Sequence, residues 1–195
     1  MRSKLGVIFL LYSLISYSQE SEIKVYHWEE LPISYNADSI IGLSFSKMKL
    51  TSFNVDLAQF RNLKVLDLSK NKLSELPIGL DSLLFLKEIN LGKNEFQGFP
   101  IGLCKLETIE RLILNKNNIE IIPSCIGYLF NLKYIDLLDN PITQLPIELM
   151  NLKYLQEIDF TGIRFSPEFQ KIWLERMPNV NLIFEIHKNS RLFVQ

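Results

Sequence analysis

From Leu63 to Leu152 the chain repeats one arrangement of apolar and polar positions four times: Leu-x-x-Leu-x-Leu-x-x-Asn-x-Leu-x-x-Leu-Pro-x-x-Leu-x-x-Leu. The first copy is set by Leu63, Leu66, Leu68, Asn71, Leu73, Leu76, Pro77, Leu80 and Leu83. The later copies begin at Leu86, Ile109 and Leu132, so the period is 86 − 63 = 23 and does not slip. Within each copy, Leu66-x-Leu68 and its equivalents alternate as a short strand with one buried face must. Asn71, Asn94, Asn117 and Asn140 follow the strands at the point where the chain turns. A stack of buried asparagines there can bond the backbone groups that the bend leaves over. The Leu-Pro pair ends the turn, because proline lacks an N–H and restricts the residue before it. The Leu-x-x-Leu spacing beyond it suits a helical or 3-10 turn on the outer side. One copy cannot bury this much apolar surface alone, whereas stacked copies can.

This arrangement resembles the leucine-rich repeat family. More narrowly, it is similar to the Leu-Pro variant of Ras-suppressor-type and plant intracellular repeat proteins. The resemblance covers roughly residues 40 to 186. It implies an α/β right-handed solenoid, a horseshoe with a parallel sheet on its concave face and helical or 3-10 turns on its convex face. It says little about function, because the scaffold carries many unrelated binding tasks.

The pattern weakens toward both ends. Residues 40–60 form a degenerate copy held in phase by Ile40, Leu43, Phe45, Leu50, Phe53, Leu57 and Phe60, with Met48 in the asparagine position. A sixth copy from Leu155 places Ile163 there. Six copies therefore span 40–165, and atypical terminal copies are usual in such arrays. Before them, residues 19–39 read as an N-terminal cap. Ile23, Val25 and His27 alternate with Lys24, Tyr26 and Trp28 as a strand, and the aromatic rings supply covering area. After them, Ser166-Pro167 opens a helix with serine as N-cap and proline in its first turn. Val180, Leu182, Phe184 and Ile186 alternate as a last strand. This C-terminal cap, 166–186, resembles that of many bacterial leucine-rich repeat proteins. Residues 187–195 form a tail.

Arg2 and Lys4 precede the apolar run Leu5–Ile15, and Ser16-Tyr17-Ser18 closes it with small residues. That is the layout of a signal peptide over 1–18, cleaved between Ser18 and Gln19. An uncleaved anchor or a buried N-terminal helix is the alternative, and the run is short for a membrane span. A signal on a repeat array without cysteine-rich caps implies, by resemblance, a bacterial secreted or periplasmic protein. The two cysteines, Cys104 and Cys125, lie two places out of repeat register, and on that ground no disulfide is expected between them.

At 195 residues the chain can build one sizeable core, and a net charge of −1 argues against nucleic acid and anionic membranes as partners. His27 and His187 lie in opposite caps, more than ~20 Å apart at strand spacing, so no histidine-based catalytic or metal set is expected. Asp136 and Asp159 share a repeat column and would be neighbours. They are read as solvated acids rather than an acid–base pair. The expectation is a non-catalytic monomer with no cofactor, binding a protein through the concave strand residues. The contact centre is placed at Arg111, Ile113, Tyr134 and Leu138, flanked by Asn115, Asp136, Glu157 and Asp159. Tyrosine and arginine most often carry interface energy. Lys47, Lys70, Lys93 and Lys116 form a like-charged column that ends at Asp139, where Lys116 and Asp139 are expected to pair. Other readings are a structural or adhesive cell-surface spacer, or a cytoplasmic signalling scaffold if the signal is not used.

Overall fold

The computed structural model describes residues 23–184. The signal-peptide reading, the 187–195 tail, Ile186 and His187 lie outside the described residues. Strands β1 (Val25–His27), β2 (Gly42–Ser44), β3 (Val65–Asp67), β4 (Glu88–Asn90), β5 (Arg111–Ile113), β6 (Tyr134–Asp136), β7 (Glu157–Asp159) and β8 (Asn181–Ile183) form one open parallel sheet in chain order. The register is constant, so Leu43, Leu66, Ile89, Leu112, Ile135, Ile158 and Leu182 stand in one buried row. Each strand is short because the alternation lasts only a few residues before the asparagine bend.

On the far side of the core the prolines hold extended backbone and start 3-10 turns at Ile101–Lys105, Ser124–Tyr128 and Ile147–Asn151. In the first regular copy, Gly79 at φ 79° starts the turn Leu80–Ser82 instead. The outer elements of the repeats are therefore 3-10 turns. The one α-helix among the described residues is α1, Pro167–Arg176, with the Ser166 side chain accepting from the Phe169 N–H at 3.2 Å. Among the described residues no helix is long and apolar enough to cross a membrane.

The asparagine stack forms as the bend requires. Asn94 Nδ2 donates to the carbonyls of Leu68 and Leu91, both at 3.0 Å, and its Oδ1 accepts from the Leu73 N–H at 3.0 Å. Asn71, one copy earlier, and Asn117 and Asn140, one and two copies later, repeat the same set.

The residue before each asparagine position has left-handed backbone: Lys47, Lys70, Lys93, Lys116 and Asp139 have φ of 65°, 59°, 58°, 54° and 54°, and Gly162 follows at 80°. That region is sparsely allowed for side chains other than those of glycine, asparagine and aspartate. The lysine column thus sits on a constrained backbone, which periodicity alone does not reveal.

At the first edge, β1 is shorter than the alternation suggests. The chain turns at Trp28–Glu30, so that Trp28 stacks on Phe45 with centroids 5.0 Å apart. At the other edge, Phe184 stacks on Phe160 at 5.4 Å and Trp173 of α1 is buried.

The cysteines require a correction: Cys104 and Cys125 are disulfide-bonded, with Cα atoms 5.7 Å apart. The objection from register holds for two side chains on one turn. These two lie on adjacent stacked turns, where in-register side chains point the same way. An offset lets Cys104 reach forward and Cys125 reach back across the gap. The bridge closes a 21-residue separation. Loop-closure entropy then gives about 3 kcal/mol of stability. Denaturant unfolding of the wild type should lose about that much on adding reductant, and Cys104→Ser/Cys125→Ser should show no reductant effect.

Candidate functional site

Sheet residues between the core positions form three rows on the open face. The middle row does structural work. Asp67, Asn90, Asp136 and Asp159 each use Oδ1 to accept the N–H two residues on, from Ser69, Gly92, Leu138 and Thr161, at 2.8–3.1 Å. These local turns help the strand bend away toward the asparagine. Asp136 and Asp159 are therefore half-buried turn-forming groups, not freely solvated acids. Burial pushes the Asp136 carboxyl up from its ordinary range, while hydrogen bonds from Asn115 and from the Leu138 N–H hold it down. Asn115 Nδ2 donates to Asp136 Oδ2 across the strands.

Ile113 occupies the same row and is only 9% exposed, so it packs between its neighbours rather than offering a contact surface. Its reading as an exposed apolar residue is corrected on that ground. The remaining members of the expected centre do come together. The Arg111 guanidinium lies over the Tyr134 ring, 4.1 Å from its centroid, a favourable cation–π distance. Behind it, Glu88 Oε2 is 3.4 Å from Arg111 Nε, and Glu88 is only 6% exposed. The Glu88 carboxylate on β4 and the Tyr134 ring on β6 thus hold Arg111 of β5 between them. Burial and the nearby Asp136 push the Tyr134 hydroxyl up to about 12, with Arg111 pulling the other way, so it stays a neutral donor at ordinary pH. Glu88 was missed as part of this cluster, and its position one strand before Arg111 in the same row was the available signal. Leu138 is half-buried beside this group, and Glu157 accepts from Asn181 Nδ2 at 2.8 Å.

Lys93 and Lys116 stand at the exit of the strands, exposed, and Lys116 Nζ is 3.4 Å from Asp139 Oδ2 as expected. Both partners of that pair are about half exposed, so it contributes little. A tighter network lies just before the strands, where Glu110 bridges Lys87 and Lys133 at 2.6 Å each. Burial alone would push the Glu110 carboxyl up, but Lys133 and Lys87 hold it below its ordinary 4.5. The folded chain then binds fewer protons there than the unfolded chain, so this stability is present above about pH 4.5 and is lost as pH falls through the folded value. Melting temperature measured from pH 6 down to pH 3 should fall less steeply in Glu110→Gln than in the wild type.

Among the described residues no group of three or more metal-ligating side chains converges. His27 sits at the sheet edge with Nε2 3.1 Å from the Ser46 carbonyl.

A parallel one-sheet solenoid stitched by an asparagine row, with side chains standing open between its core positions, is a repeat scaffold. The comparisons agree with the geometry: a leucine-rich repeat family model matches residues 62–83. The fold is similar to a leucine-rich repeat protein of Leptospira interrogans, with 29% identity and a TM-score of 0.66 over 73% of this chain and 36% of that one. It is also similar to the leucine-rich repeat ectodomain of the Arabidopsis thaliana membrane receptor kinase GASSHO1/SCHENGEN3, in complex with CASPARIAN STRIP INTEGRITY FACTOR 2. There the identity is 29% and the TM-score 0.59, over 74% of this chain and 18% of the ectodomain. The chain thus spans about a third of the first and under a fifth of the second. No curated protein matches it significantly. The chain is a leucine-rich repeat protein. Such folds are typically non-catalytic scaffolds for protein–protein interaction.

Proposed function

We propose that this protein binds a protein partner through its open sheet face, outside the cytoplasm and without catalysis. The observation that carries this reading is the Arg111–Tyr134 pair, set mid-sheet and half-exposed with Glu88 behind it. Preorganised arginine and tyrosine side chains lose little freedom on binding, which makes them effective anchors. Asn115, Asp136, Leu138, Glu157 and Asp159 would supply the surround, with Lys93, Lys116 and Asp139 on its rim. The plant ectodomain similar to this chain is itself seen in complex with another factor.

The location rests on the signal-like residues 1–18, and the disulfide favours an oxidising compartment. Residues 19–39 and 166–186 would serve as caps of the array. Capture from the native host with the mature chain as bait, repeated with Arg111→Ala, tests the partner. N-terminal sequencing of the mature protein should begin at Gln19. A chain that keeps Met1 and a partner found in the cytoplasm would overturn the location.

A second reading is a self-associating spacer. It is favoured by large apolar side chains on the outer turns, with Ile78 at 91% and Ile101 at 68% exposure. Light scattering that shows mass rising with concentration would support it, and a constant monomer mass would exclude it.

A further inference from the structure

A second surface stands apart from the sheet. On the outer side, a cleft of ≈ 700 Å³ opens where the turns Ser124–Tyr128 and Ile147–Asn151 and the chain beyond them meet. It is lined by Tyr128, Phe130, Met150, Asn151, Lys153 and Tyr154, with Gly127 at its base. Tyr128, Phe130 and Tyr154 are 62%, 53% and 61% exposed, which is unusual for rings that the repeat does not require.

The three rings are departures from the repeat. Tyr128 stands where neighbouring copies have Ser82, Lys105 and Asn151. Phe130 stands where other copies have Arg61, Leu84, Glu107 and Lys153. Tyr154 stands where one copy has Phe85 and three have a polar residue that ties one copy to the last: Asn62, Thr108 and Asn131 donate to the carbonyls of Asp38, Leu86 and Glu107, each at 2.8 Å. A tyrosine ring is too long and stiff to make that bond. Three exposed rings from adjacent copies thus converge on one cleft. Gly127 assists, because a Cβ there would meet Glu148 Cβ at 2.9 Å and its carbonyl oxygen at 3.0 Å, so the turns approach closely.

We propose that this cleft binds a carboxylated saccharide, a uronic-acid-bearing glycan. Aromatic rings take the C–H face of a pyranose. The Asn151 amide and the Tyr128 and Tyr154 hydroxyls meet its hydroxyl rim. Lys153 is the one charged side chain of the lining, so an anionic sugar is preferred. An aliphatic chain or lipid tail would strand those polar groups. The lining is also far smaller than the roughly 20–30 residues a side of a stable protein interface.

The test uses the full mature chain on a glycan array that pairs uronic-acid glycans with neutral counterparts, followed by calorimetric titration of the retained glycans. Wild type should retain uronate glycans. Tyr128→Ser/Tyr154→Ser should weaken them roughly tenfold, at about one ring contact each. Lys153→Gln should remove the preference for acidic over neutral sugars and keep the fold, and Tyr134→Ala should bind as wild type. The proposal is overturned if no glycan is retained, or if retention survives the double change. It is also overturned if ultracentrifugation finds dimers that the double change disperses, which would assign the cleft to a second copy of the chain. Loss of sheet-face binding by Tyr134→Ala would leave this proposal untouched.

Discussion

Leu112→Ala should destabilise the protein by about 2–5 kcal/mol. Leu112 has no exposed surface and stands in the middle of the buried row, between Ile89 and Ile135 of the flanking strands. Truncation removes buried methyl groups and leaves a void that neighbours on both sides cannot fill, because strand spacing is fixed by the ladder. In a stacked array each copy is stabilised mainly by contacts with the next, so a central defect weakens two interfaces at once. Urea unfolding at constant m-value measures the loss. A change below about 1 kcal/mol would mean that the row collapses around the gap, contrary to a rigid stack.

Asn94→Ala should cost about 3 kcal/mol although it removes only a small side chain. The loss leaves the Leu73 N–H unpaired in a site where Asn94 is 8% exposed, while the carbonyls of Leu68 and Leu91 each lose one of two asparagine donors and keep Asn71 Nδ2 at 2.9 Å and Asn117 Nδ2 at 3.0 Å. One buried donor left unsatisfied costs about 1–3 kcal/mol, and the two lost carbonyl bonds bring the sum to the upper end. Asn94→Asp should be nearly as damaging, because a carboxylate accepts from Leu73 but cannot donate to the two carbonyls. Thermal melting of both variants beside Lys93→Ala, an exposed neighbour, separates the ladder from general sensitivity of this turn.

How much of this could be read from the chain itself follows from what a repeat records. Leucine, asparagine and proline positions are fixed by stacking and by bends, so phase alone gave the strands, the ladder and the outer turns. The Ser166 cap was equally plain, because capping is a local rule. Contacts between copies that break phase were not legible. The Cys104–Cys125 bridge needs an offset between two turns, and offset looked like an objection. Ile113 occupies an outward position, yet flanking side chains cover it, and one strand's alternation does not record that. Left-handed backbone beneath the lysines leaves no mark, because lysine and not glycine fills the position in four copies. The outer aromatic cleft was visible as Tyr128, Phe130 and Tyr154 in mostly polar columns, but only to a reading that compared copies outside the core positions.

The sheet face is tested most directly by the affinity of the captured partner for Tyr134→Ala, measured by calorimetry beside an outer-turn variant such as Ile101→Ser. Removing the ring also frees Arg111 from its platform, so a loss of about 2 kcal/mol, roughly thirtyfold, is expected with the melting temperature unchanged. Ile101→Ser should bind as wild type. Full affinity in Tyr134→Ala together with lost binding in Ile101→Ser would move the docking surface to the outer turns and contradict the account.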